Sequence, residues 1–196
     1  MSQSRMSTYD LTIGALFVAL MAVGANITAV APFLSILNVP LTLQTFVAIL
    51  AGIILGRRMG AFSMLVYAAL GLAGVPIFAG FSGGAATVVT PTFGFILSFI
   101  AVAYFSGAVV EKKRTFGRYI TASLIGLALN YIIGVNGMYL AFNFWMGEGA
   151  GMPYVLAWSS MVPFIIKDFA LAILAGSFGY RMEKGILKRT PLRQAV

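Results

Sequence analysis

The chain has 196 residues, 60 % of them hydrophobic and 9 % charged, with a net charge of +8 and neither Cys nor His. A soluble domain carries about 25 % charged residues, so an ordinary soluble fold is excluded and an all-α integral membrane protein is expected. The missing Cys and His also exclude thiol chemistry, disulfides, zinc centres and His-based acid–base catalysis.

A hydrocarbon core of about 30 Å takes about 20 apolar residues per helix. The chain therefore holds about five or six spans in a single membrane domain, 1–196, with no room for a separate soluble one. Runs such as Phe17-Val18-Ala19-Leu20-Met21 lack the period-2 alternation of a β-barrel. Helix 1 is read over 11–30. Ala29-Val30-Ala31 resembles a signal-peptide cleavage site, but the preceding apolar stretch is longer than an h-region and Pro32 follows directly. A proline-bounded loop, 32–40, leads to helix 2 over 41–56, which stops at the basic turn Arg57-Arg58-Met59-Gly60. Helix 3 is read over 61–77 and loosens at Gly71, Gly74 and Pro76. A glycine-rich loop follows over 78–91. Helix 4 covers 92–110, helix 5 covers 119–140, an aromatic and glycine-rich loop occupies 142–154, and helix 6 covers 158–180 or begins at Pro163.

Six spans place the N-terminus, the turn 57–60, the loop 111–118 and the C-terminal tail on one side. Every one of the 13 Lys and Arg residues except Lys167 falls there. The positive-inside rule makes that side, with both termini, cytoplasmic. The basic residues then set orientation in a lipid bilayer and require no nucleic-acid partner. The uncharged opposite loops, and the polar residues in the adjoining half-spans, point to a small-molecule site opening outward. Those polar residues are Asn26, Thr28, Thr42, Gln44, Thr45, Thr92, Asn136, Tyr139, Lys167 and Asp168.

Lys167 and Asp168 lie inside an apolar segment, where each charge costs roughly 2.5–3.5 kcal/mol on insertion scales. Neighbours on a helix point about 100° apart, so an internal ion pair is not expected and each should find its own partner. Asp168 is read as the acceptor of ligand N–H groups and Lys167 as the partner of an anionic group. Gln44, beside Thr42 and Thr45, can donate and accept, which suits an amide or urea. Phe78 and Phe81 sit in a glycine-rich stretch that reads as a lid over an apolar ligand. No Walker pattern G-x-x-x-x-G-K-[ST] occurs. Ala15 and Ala19 form a small-residue face on helix 1. Asn130 and Tyr131 reach a cavity or bridge helices, with bridging favoured.

Four blocks appear in order: Val39-Pro40-Leu41-Thr42-Leu43-Gln44-Thr45, Gly71-Leu72-Ala73-Gly74-Val75-Pro76-Ile77-Phe78-Ala79-Gly80, Pro91-Thr92-Phe93-Gly94-Phe95 and Pro163-Phe164-Ile165-Ile166-Lys167-Asp168. Together they resemble the BioY family, the biotin-binding S components of energy-coupling-factor transporters, over essentially the whole chain. The resemblance implies a six-helix protein of a prokaryotic cytoplasmic membrane that captures biotin from outside. It implies partners, a transmembrane coupling subunit and a pair of ATP-hydrolysing subunits, and no cofactor. It also implies that Ala15 and Ala19 dock on the coupling subunit and that Asp168 meets the ureido group. Phe93 and Phe95 stand where the family usually has Gly and Tyr. Leu171 stands where many members have Lys, which leaves Lys167 as the candidate partner of the biotin carboxylate. Two rival readings are an S component for riboflavin or thiamine and a proton-coupled secondary transporter using Lys167 and Asp168. A membrane enzyme is disfavoured because no paired carboxylates accompany the missing His and Cys.

Overall fold

The structure is a computed structural model that describes residues 7–30, 35–36, 39–40, 42–147 and 151–190. The chain begins with α1 (Thr8–Ala25), whose start is fixed by a reciprocal cap. The Asp10 amide donates to the Ser7 hydroxyl at 3.1 Å, and the Ser7 amide donates to Asp10 Oδ2 at 3.0 Å. The helix predicted over 11–30 does not run through: it stops at Asn26 and resumes as the single turn α2 (Ile27–Val30). Asn26 has other uses. Its Nδ2 returns to the Ala22 carbonyl at 3.0 Å, and its Oδ1 accepts the Phe81 amide at 2.8 Å, from a loop 55 residues away.

Two short strands, β1 (Ser35–Ile36) and β2 (Val39–Pro40), pair antiparallel within the predicted loop 32–40, the rest of which lies outside the described residues. α3 (Gln44–Leu55) starts three residues later than the predicted 41, after that strand pair. Arg57-Arg58-Met59-Gly60 is not a turn but the opening of α4 (Arg57–Leu72). The reversal is made by Gly56 alone, whose φ of 84° a side chain would disfavour. α4 also ends five residues before the predicted 77, because Gly74 turns left-handed and Pro76 cannot rejoin the hydrogen-bond ladder.

The loop 78–91 contains two 3-10 turns, Ala79–Phe81 and Ala85–Val89. α5 (Phe93–Lys112) and α6 (Phe116–Leu140) follow, and α6 runs on into a π-helical turn, Ala141–Trp145. The predicted helix 6 divides. A short α7 (Tyr154–Ser160) precedes α8 (Val162–Gly185), with Pro163 in the first turn of α8, where its missing N–H costs nothing.

Among the described residues, four segments are long and apolar enough to cross a membrane by length and composition: Thr8–Ala25, Phe93–Lys112, Phe116–Trp145 and Val162–Gly185. The chain is thus a multi-pass, all-helical membrane protein apart from the short strand pair. α3 sits at the centre, with Val47 to Leu55 all buried, and packs on α1, α4, α5, α6 and α8. With 12 residues it spans about 18 Å, well short of a full hydrocarbon core. The irregular backbone above its first turn frames the cavity described next.

Close backbone approach joins the helices at the basic end. A Cβ on Gly52 of α3 would collide with the Ala103 carbonyl of α5, and one on Gly107 of α5 would collide with the Arg57 backbone of α4. Ion pairs reinforce this end. Arg57 pairs with Glu111 at 3.2 Å, and Arg114 pairs at 3.1 Å with the buried Glu183, which also accepts from the Tyr119 hydroxyl.

Candidate ligand-binding site

At the opposite end lies a cavity of about 360 Å³. α3 contributes Gln44 and Thr45, preceded by Thr42, and α8 contributes Phe164, Lys167 and Asp168. α6 adds Asn130, Tyr131 and Met138, while α5 adds Phe95, Ile96 and Phe99. The loop after α4 closes the wall with Phe78, Ala79 and Ser82. The lining is thus mostly apolar and aromatic, with a few convergent polar groups, the usual character of a small-molecule site.

Asp168 is 5 % exposed and anchors the polar side. Its Oδ2 accepts the Tyr131 hydroxyl at 2.8 Å and the Thr45 hydroxyl at 3.2 Å, joining α8 to α6 and α3. Its Oδ1 is buried and receives no aligned hydrogen bond. Lys167 Nζ stands 2.8 Å from that oxygen, an ion-pair distance, but its aligned hydrogen bond goes to the Thr42 carbonyl at 2.6 Å. This corrects the expectation that adjacent residues on the helix stay apart. The 100° between their Cβ directions holds, but the four-carbon lysine stem lets the ammonium fold back over the neighbouring carboxylate. Thr45 and Tyr131 hold the carboxylate still, and Oδ1 keeps capacity for a ligand N–H.

Gln44 donates from Nε2 to the Tyr67 hydroxyl at 3.1 Å, and Tyr67 donates to the Ile77 carbonyl at 3.0 Å. Gln44 Oε1 has no hydrogen-bond partner among the described residues. Phe78 is buried against Gly71, where any Cβ would strike its ring, so the wall beneath the loop is pinned. Asn130 both bridges and lines: its Oδ1 accepts the Ser98 hydroxyl at 2.8 Å across α5 and α6, and the residue borders the cavity.

Of the residues singled out from sequence, Thr42, Gln44, Thr45, Phe78, Thr92, Lys167 and Asp168 meet in this wall, joined by Asn130 and Tyr131, for which bridging was favoured. Phe81, Phe93, Asn136 and Tyr139 do not. Phe81 is 61 % exposed, and its backbone is tied to Asn26. Phe93 packs half-buried on the core, while Phe95, Ile96 and Phe99 face the cavity. Asn136 is exposed and returns to the Ile132 carbonyl at 2.7 Å, and Tyr139 stacks edge-on against Tyr154. The helical period explains Asn136. Tyr131 and Met138 are seven residues apart on one face of α6, and Asn136 points roughly opposite.

Tyr131 and Thr45 matter through Asp168, which composition alone did not reveal. A signal was present nonetheless: Phe95 and Phe99, like Phe164 and Asp168, are four apart and so stack on one helical face. Ala15 and Ala19 lie exposed on α1, away from the cavity.

The sequence model of the BioY family matches residues 1–188. BioYB of Bacillus subtilis (strain 168) is 41 % identical over 192 residues, covering 97 % of this chain and 95 % of that protein. The biotin transporter BioY of Thermotoga maritima is 33 % identical over 169 residues, 86 % of this chain and 92 % of its own. A crystal structure of the S-component for biotin from an ECF-type ABC transporter matches with a TM-score of 0.67 at 23 % identity. That match covers 94 % of this chain and 95 % of the other, and it establishes a common fold. The earlier resemblance therefore holds across the chain, and the protein belongs to the BioY family.

Proposed function

We propose that this protein is the biotin-capturing subunit of an energy-coupling-factor importer. The observation that carries the reading is the buried Asp168 carboxylate. One oxygen is fixed by Tyr131 and Thr45, and the other, buried without an aligned hydrogen bond, faces the Lys167 ammonium at 2.8 Å beside an apolar, aromatic-lined cavity. A ureido ring offers N–H donors to Oδ1, and a hydrogen bond to a charged group contributes about 1.5–3 kcal/mol. Its carbonyl oxygen can accept a hydrogen bond from Lys167, whose ammonium keeps one N–H beyond those directed at the Thr42 carbonyl and Asp168 Oδ1. The fused rings and the aliphatic tail pack against Phe78, Phe95, Phe99 and Phe164, gaining roughly 25 cal/mol for each Å² of apolar surface removed from water.

In the membrane, α1, α3, α4, α5, α6 and α8 serve as six spans of a single domain, 1–196. The basic helix ends and both termini lie in the cytoplasm and the cavity end faces outward. The cell membrane of a prokaryote is the natural setting. The chain holds no phosphate-binding loop, so energy for release comes from partners: a coupling subunit and a pair of ATPases. Ala15 and Ala19, exposed on α1 between Leu11, Leu16 and Leu20, offer the coupling subunit a close-packing face.

The purified protein, titrated in turn with biotin, riboflavin and thiamine by calorimetry, is expected to give a saturable heat with biotin alone. Saturation by another vitamin with no response to biotin would reject the assignment.

A further inference from the structure

Among the described residues, Lys167 is the one cation in the cavity wall, and its charge is already matched. It lies 2.8 Å from Asp168 Oδ1 and donates to the Thr42 carbonyl. Among the described residues no other cation borders the cavity. The stretches 6–56, 59–111 and 119–166 contain neither Lys nor Arg. The remaining basic residues that the structure describes gather where α4 begins at Arg57, α5 ends at Lys112 and α8 ends near Lys184. The wall is built at the other ends of those helices. In the first turn of α5, which borders the cavity, the amides of Phe93, Phe95 and Ile96 already donate to the carbonyls of Thr90 and Thr92. An acidic ligand tail therefore meets aromatic surface and the hydroxyls of Ser82 and Thr92, already paired with the Ala79 carbonyl and Thr90, and among the described residues no charge of opposite sign.

We infer that the site selects the ureido ring and does not read the acid of the tail. Its substrate class then includes neutral biotin derivatives whose carboxyl is joined as an amide or ester. The inference rests on the biotin reading above. A carboxylate with no partner must stay hydrated at the mouth, where it adds little to binding. An amide in the same place forfeits nothing.

The test compares biotin, biotinamide and biotin methyl ester on the wild-type protein and on Lys167→Gln by calorimetry. Both neutral ligands should bind within about threefold of the acid, and Lys167→Gln should weaken all three by the same factor. A neutral ligand binding about 30-fold or more weakly would overturn the inference, as would a Lys167→Gln protein that loses affinity for the acid alone. If Lys167→Gln fails to fold, the wild-type comparison still decides. A wild-type protein that binds none of the three defeats the biotin reading itself, whereas one that takes the acid and refuses the amide defeats only this inference.

Discussion

The two ends of α8 are built by opposite rules, while α5 and α6 stay backbone to backbone even at the cavity end, where Gly94 meets Gly137. At the basic end, helices touch backbone to backbone. Gly52 meets Ala103, Gly60 lies against Ala51, and in α8 Gly176 and Gly179 pack on α6 and α3. Two ion pairs join helices there, Arg57 with Glu111 and Arg114 with Glu183. At the other end α8 is held off from α3 and α6 by side chains, and Thr45, Tyr131 and Asp168 bridge the gap beside about 360 Å³ of open volume. The same helix is thus clamped at one end and spread at the other. The lesson is that a cavity in a small membrane protein needs a closed anchor elsewhere, because without hydrophobic drive between spans the helices hold together by close packing.

The contrast predicts different consequences for mutations at the two ends. The largest effect is expected at the anchor. Gly52→Val forces a side chain into the Ala103 backbone, a cost of about 3 kcal/mol. It should appear as loss of the monodisperse peak or a steep fall in thermal midpoint; normal stability would show that the packed end does not anchor the bundle. A smaller and different effect is expected in the wall. Tyr131→Phe removes one hydrogen bond to the Asp168 carboxylate, worth about 1.5 kcal/mol. It should weaken biotin about tenfold in calorimetry with little change in thermal midpoint. The reverse outcome, unchanged affinity with lost stability, would make Tyr131 part of the anchor.

How much of this was legible beforehand depended on whether the deciding contact was local. Asp168, Lys167, Gln44, Thr42 and Phe78 could be named because polar or aromatic groups at the uncharged ends of apolar segments are costly without a use. The supporting roles of Thr45 and Tyr131 were hidden, since they depend on a carboxylate 123 and 37 residues away. The break after α1 was hidden for the same reason, as the Asn26 side-chain Oδ1 accepts a distant loop amide. The Gly56 reversal was misread because four basic-turn residues looked more like a loop than a single left-handed glycine did. The Lys167–Asp168 pair was missed because a rule about Cβ directions ignores the reach of a long side chain. Polarity alone marks Asn136 and Tyr139, but the helical phase set by Tyr131 and Met138 turns Asn136 away, and Tyr139 packs on Tyr154.

The central claim is that Asp168 is where the ligand is held, and it is tested most directly by titrating biotin into wild-type and Asp168→Ala proteins side by side while following thermal unfolding of each. Loss of the carboxylate should weaken biotin by about 100-fold, in line with the roughly 3 kcal/mol available to charged hydrogen bonds, while both proteins still unfold cooperatively. Biotin binding to a folded Asp168→Ala protein with wild-type affinity would contradict the account.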